Sequence, residues 1–109
     1  MSNKIDTYIV DSFTDQPFKG NPAGICILNE SLSVNKMQLI AKELGLSETA
    51  FISIIKNSNC FDIRYFSPKM EIPLCGHATL AASKILFELN PALVNLQFKN
   101  MAARINNYK

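Results

Sequence analysis

Between Gly76 and Leu89 the small residues Ala78, Ala81, Ala82 and Ser83 recur at helical spacing, with Ile85 and Leu89 extending the same apolar face. A helix whose face is built largely from alanine lets neighbouring backbone come very close. Such a helix can sit very close to surrounding strands. Gly76-His77-Ala78 opens this helix and Asn90-Pro91 stops it.

The sequence has those strands. Ile5 to Phe13, containing Tyr8-Ile9-Val10, reads as a strand, and Ala23 to Leu28 as a second, mostly apolar one. Ser33 is an N-cap, followed by Val34, Met37, Ile40, Ala41 and Leu44 at helical spacing, with Gly45 as the stop. Glu48 to Ile55 is extended, Asn57-Ser58-Asn59 makes a hairpin turn, and Cys60 to Phe66 returns. In the return strand Phe61, Ile63 and Tyr65 alternate with Asp62, Arg64 and Phe66. Ser67-Pro68 ends it, and Glu71 to Cys75 is a short extended piece broken by Pro73. Leu93 to Phe98 reads as the final strand. The predicted order is β-β-α-β-β-β-α-β, an α+β pattern with mixed strand directions.

The remaining sequence properties narrow the function classes. The 109 residues suffice for one modest domain, and 48% hydrophobic against 18% charged residues is a globular balance. The eleven Lys and Arg residues are scattered singly and the net charge is +2, which argues against nucleic acid as a partner. No apolar stretch is long enough to span a bilayer. The first residues lack the apolar segment of a signal peptide, so a cytoplasmic location is expected. Cys26, Cys60 and Cys75 are odd in number and widely spaced, and with His77 as the single histidine they predict neither a disulfide framework nor a metal site. Cys26 and Cys60, in strand-like apolar runs, read as buried reduced thiols.

Three segments could carry chemistry. In Gly20-Asn21-Pro22-Ala23, Asn21 offers both a donor and an acceptor, although an ordinary tight loop would look the same. In Leu46-Ser47-Glu48-Thr49-Ala50-Phe51, Glu48 is flanked by apolar residues. Partial burial there would raise its pKa and suit it to general acid/base work, whereas a solvated glutamate at a strand start is the plainer reading. In Leu74-Cys75-Gly76-His77-Ala78-Thr79 a helix N-terminus presents free amides suited to a substrate carboxylate. There His77 can relay a proton and Cys75 could be an activated thiol, or both could serve only packing and capping.

Taken together, several blocks resemble the phenazine-biosynthesis PhzF-like family in order and spacing. They are Val10-Asp11-Ser12-Phe13-Thr14, Pro17-Phe18-Lys19-Gly20-Asn21-Pro22-Ala23, Met37-Gln38 with Ile40-Ala41-Lys42-Glu43, Ser47-Glu48-Thr49-Ala50-Phe51, Arg64-Tyr65-Phe66-Ser67-Pro68, and Glu71-Ile72-Pro73-Leu74-Cys75-Gly76-His77-Ala78-Thr79-Leu80-Ala81-Ala82. The resemblance implies the diaminopimelate-epimerase-like fold, in which each of two lobes curls a mixed or antiparallel sheet around a central helix. It implies that residues 1–109 form one truncated N-terminal lobe, bearing half of the cleft.

The implied activity is cofactor-free isomerisation of a small carboxylate-bearing substrate such as dihydro-3-hydroxyanthranilate. Glu48 would be the general acid/base, His77 a substrate contact beside the Gly76 backbone, and Cys75, Asn21 and Thr79 further substrate-binding residues. Related amino-acid epimerases use two cysteines and carry Asn after Cys-Gly, where this chain has His77. A cysteine-dependent epimerase is thus the runner-up. A non-catalytic lobe that binds or self-associates, as in a homodimer, is a third reading. The family pattern also leads one to expect a turn of small residues and another strand after Phe98, which Lys99 to Lys109 matches poorly.

Overall fold

The computed structural model describes residues 5–11, 22–54, 60–73, 75–100 and 104–106. The expected hairpin turn Asn57-Ser58-Asn59 and the Gly20-Asn21 loop lie outside the described residues. Seven strands form one mixed sheet: β1 (Ile5–Val10), β2 (Ala23–Leu28), β3 (Glu48–Ile54), β4 (Cys60–Phe66), β5 (Glu71–Ile72), β6 (Gln97–Asn100) and β7 (Arg104–Asn106). The two helices are α1 (Val34–Leu44) and α2 (Gly76–Leu89). The sheet order is β1-β2-β3-β4-β6-β7, with β5 paired to β4. The β2–β3 and β4–β6 pairs are parallel and the others antiparallel. Each parallel pair is joined through one helix, as a parallel connection requires.

Alternation along the strands builds two cores. On one face Ala23, Ile25 and Ile27 of β2, Ala50 and Ile52 of β3, Phe61, Ile63 and Tyr65 of β4, and Phe98 of β6 pack against Ala78, Ala81, Ala82, Ile85 and Leu86 of α2. Val10 of β1 joins them, so the sheet curls around this helix. The alanines are fully buried, which is the close approach their small size permits. On the other face Cys26, Leu28, Phe51 and Phe66 meet Met37 and Ala41 of α1. Phe51 and Phe66 there stand edge to face with ring centroids 5.4 Å apart. Among the described residues no helix is long and apolar enough to cross a membrane.

The structure corrects four details of the sequence reading. Strand β1 ends at Val10, and the last expected strand begins at Gln97 rather than Leu93. Leu93 instead donates its amide to the Asn90 carbonyl at 3.0 Å in the turn that ends α2. Leu89, expected on the buried face, is 54% exposed, because the core cluster stops one turn earlier at Ile85 and Leu86. Finally, a seventh strand, Arg104–Asn106, does pair antiparallel with β6.

Helix α1 has the ends its sequence predicts. The Ser33 hydroxyl accepts from the Lys36 amide at 3.2 Å, and Gly45 adopts a left-handed conformation with φ 67° while donating to the Ala41 carbonyl at 3.1 Å. Open space surrounds the Cβ position of Gly45, so backbone strain alone decides what a side chain would cost there. Gly45→Ala is expected to destabilise the fold by about 1 kcal/mol, read as a lowered urea midpoint with unchanged slope.

Candidate active site

The register of the sheet gathers the candidate residues at one end. Glu48 pairs with Ala23, where β2 begins, and Val10, where β1 ends, pairs with the same Ala23. Thr49 pairs with Phe66, where β4 ends, and β5 returns beside Tyr65 and Phe66 before the chain enters α2. The start of β3, the ends of β1 and β4, and the first turn of α2 therefore share one edge of the structure. Glu48 lies two residues before Ala50 on the same face of β3, the face that α2 covers.

The approach to α2 is held by several polar contacts. Arg64 grips Glu71 with both nitrogens of its fork, Nε to Oε2 at 2.7 Å and Nη2 to Oε1 at 2.9 Å, closing the neck of the β4–β5 hairpin. The Ser67 hydroxyl accepts from the Lys69 and Met70 amides at 3.2 and 3.1 Å. Gln38 of α1 donates to the Ser67 carbonyl at 2.9 Å. The turn that delivers the chain to Cys75 is thus tied both to itself and to α1.

Cys75 is the N-cap residue of α2, in extended conformation at φ −139° and ψ 108°. Its thiol makes no cap hydrogen bond, but the amides of Ala78 and His77 face the sulfur as partial positive charges. The Glu48 carboxylate approaches the same thiol within hydrogen-bonding reach. Burial is the largest influence on this thiol and pushes its pKa up. The Ala78 amide works the other way, the charge and hydrogen bond of Glu48 add to the rise, and the net direction is upward. Near neutral pH the group is a thiol that can donate to Glu48 rather than a thiolate.

Of the residues singled out in the sequence, the structure thus brings Glu48 and Cys75 together, beside the first-turn amides. Gly76 is exposed at the first helical position with open space around its Cβ position, and His77 follows it, half-buried. Thr79 is 4% exposed, and its hydroxyl is engaged with Tyr65 and with the Cys75 carbonyl. Asn21 lies outside the described residues; the neighbouring Pro22 leads into β2 at this same end. Sequence reasoning missed Tyr65 as a polar member of the site. A signal existed: a tyrosine alternating with Phe61 and Ile63 must bury its hydroxyl, and a buried hydroxyl calls for a partner. Among the described residues no group of three or more His, Cys, Asp or Glu could hold a metal ion.

Replacing Glu48 by Gln removes a negative charge that raises the Cys75 pKa, so the thiol should ionise at lower pH. The rate of Cys75 alkylation by iodoacetamide, followed by mass spectrometry of its peptide across pH, should rise earlier in Glu48→Gln than in the wild type. An unchanged profile would show that the two groups do not interact in solution.

Comparison with known proteins agrees with this architecture. The phenazine biosynthesis-like protein (PhzC-PhzF) family profile matches residues 10–105. A phenazine biosynthesis-like domain-containing protein of Bos taurus is 48% identical over 90 residues, covering 77% of this chain and 31% of the bovine protein. An uncharacterized isomerase of Escherichia coli is 54% identical over 79 residues, covering 72% of this chain and 26% of its own length. The crystal structure of a PhzF-family phenazine biosynthesis protein of Enterococcus faecalis superposes with a TM-score of 0.81 at 39% identity, covering 96% of this chain and 40% of that protein. The chain spans about a third of the length of these relatives. With a profile match over most of its length and a close structural match to a PhzF-family protein, the chain belongs to the phenazine biosynthesis-like (PhzC/PhzF) family.

Proposed function

We propose that this chain provides one lobe of a cofactor-free isomerase, in which Glu48 moves a proton within a small carboxylate-bearing substrate of the dihydro-3-hydroxyanthranilate type. The observation that carries this reading is the meeting of Glu48 with Cys75 and the first-turn amides at one end of the sheet. The first turn of α2, from Gly76 to Ala78, carries the partial positive charge of a helix N-terminus and is suited to a substrate carboxylate. Glu48, so placed, takes a proton from one substrate carbon as general base and returns it to another as general acid, ending ionised as it began. His77 hydrogen-bonds the substrate, and Asn21 is a further substrate contact. Cys75, held as a neutral thiol, donates to the Glu48 carboxylate and orients it.

The cysteine-dependent epimerase is less well supported, since an epimerase base must be a thiolate and burial opposes that form of Cys75. One lobe forms only one wall of a cleft, and positioning within a closed site is worth about 7–11 kcal/mol of barrier. The isolated chain should therefore turn over slowly.

The experiment incubates the purified chain with dihydro-3-hydroxyanthranilate in deuterated buffer and follows solvent deuterium entering the product. Slow incorporation that falls roughly 10²–10⁴-fold in Glu48→Gln and largely survives in Cys75→Ala is expected. Survival in Glu48→Gln with loss in Cys75→Ala would favour the epimerase reading. No incorporation above buffer in the wild type would favour a non-catalytic lobe.

Self-association is the second expectation. Leu80 and Val94, 54% and 88% exposed, rim an apolar hollow with Phe87 and Leu96. Sedimentation velocity should show a concentration-dependent dimer, and a clean monomer over a wide concentration range would refute it.

A further inference from the structure

The hydroxyls of Tyr65 and Thr79 sit beneath the candidate site and take no part in the chemistry proposed for it. Tyr65 is fully buried and Thr79 nearly so. The Thr79 hydroxyl lies 2.8 Å from the Cys75 carbonyl oxygen and 2.5 Å from the Tyr65 hydroxyl. A carbonyl can only accept, so Thr79 spends its one hydroxyl hydrogen on Cys75. The short contact to Tyr65 must then run the other way, with the Tyr65 hydroxyl donating to Thr79. The direction of both bonds follows from the donor inventory alone.

The Cys75 carbonyl also accepts the Thr79 amide at 2.9 Å, the first hydrogen bond of α2. It is thus held twice by one residue, and that residue is held by a strand on the far side of the core. No side-chain cap steadies the helix start, because Cys75 makes none. In an ordinary helix the cap side chain would fix the first turn. Here the fixing comes from below, through the carbonyl of the capping residue.

We propose that Tyr65 and Thr79 are positioning residues, which lock the Cys75 carbonyl and so set the direction of the Gly76, His77 and Ala78 amides and of the Cys75 thiol. The consequence for turnover rests on the isomerase reading above. The positioning itself does not, and can be tested without substrate.

The probe is the pH profile of Cys75 alkylation by iodoacetamide in the full 109-residue chain. The titratable group that acts on this thiol is Glu48, from the start of β3. Thr79→Val keeps shape and burial but removes both hydroxyl bonds. With the first turn loosened, the amides no longer point at the sulfur, the thiolate loses their support and the profile moves to higher pH. Alkylation at pH 8 should slow roughly three- to tenfold, in keeping with the net worth of one ordinary hydrogen bond. Thr79→Ser, which keeps the hydroxyl, should restore the wild-type profile. Tyr65→Phe, which removes only the outer link, should fall between them.

A residue that merely stabilises the fold would lower the melting temperature and leave this profile alone. Folded Thr79→Val with an unchanged or lowered profile overturns the proposal. If Thr79→Val does not fold, Tyr65→Phe decides by the same criterion. Deuterium incorporation, measured in parallel, should show a loss in kcat larger than any rise in KM. A wild-type chain with no isomerisation but with the Thr79→Val shift would retain the positioning role and remove the isomerase reading.

Discussion

The close approach of α2 to β2, β3 and β4 is the contact on which the rest of the structure depends. Ala78, Ala81 and Ala82 leave no side-chain bulk between helix and sheet, so backbone and strand residues meet directly. The sheet can curl around the helix only because that face is thin. The same closeness brings the first turn of α2 against the start of β3, so that Glu48 and Cys75, far apart in sequence, meet. A bulkier face would push the helix outward and separate them before any change in the site residues themselves.

Much of this was legible in the sequence because local rules and tertiary structure agree. Ser33 and Gly45 bracket α1 as cap and stop, and alternation in Phe61, Ile63 and Tyr65 assigns one face of β4 to the core. Gly76 and Asn90 bound α2 where the sequence puts its ends. The failures have physical reasons. Strand β7 is three residues, Arg104–Asn106, without apolar alternation, and its pairing is supplied by the backbone of β6 rather than by side-chain pattern. Leu89 has the periodicity of a core residue, but periodicity carries no information about where the opposing core ends.

The site was legible only through resemblance. Spacing alone favoured a solvated surface residue at Glu48, since nothing local reports that its strand starts opposite Ala23 and beside the α2 N-terminus. The Tyr65–Thr79 pair was only half legible: alternation buries the Tyr65 hydroxyl and calls for a partner, but only the packing of β4 on α2 shows that the partner is Thr79. Sequence pattern finds faces; it does not find which polar groups on two faces touch.

Gly24 has a bearing on this site from the opposite side of the sheet. A Cβ at that position would meet the Leu46 Cδ1 and Thr49 Oγ1 atoms at 3.2 Å and the Leu44 Cδ1 atom at 3.3 Å, each tighter than ordinary contact. Those three residues are the descent from α1 into β3, and Glu48 lies between two of them. The bare backbone of β2 is the bed on which that descent rests. The height of the Glu48 carboxylate above the sheet is therefore gauged from behind, by the absence of a single methyl group.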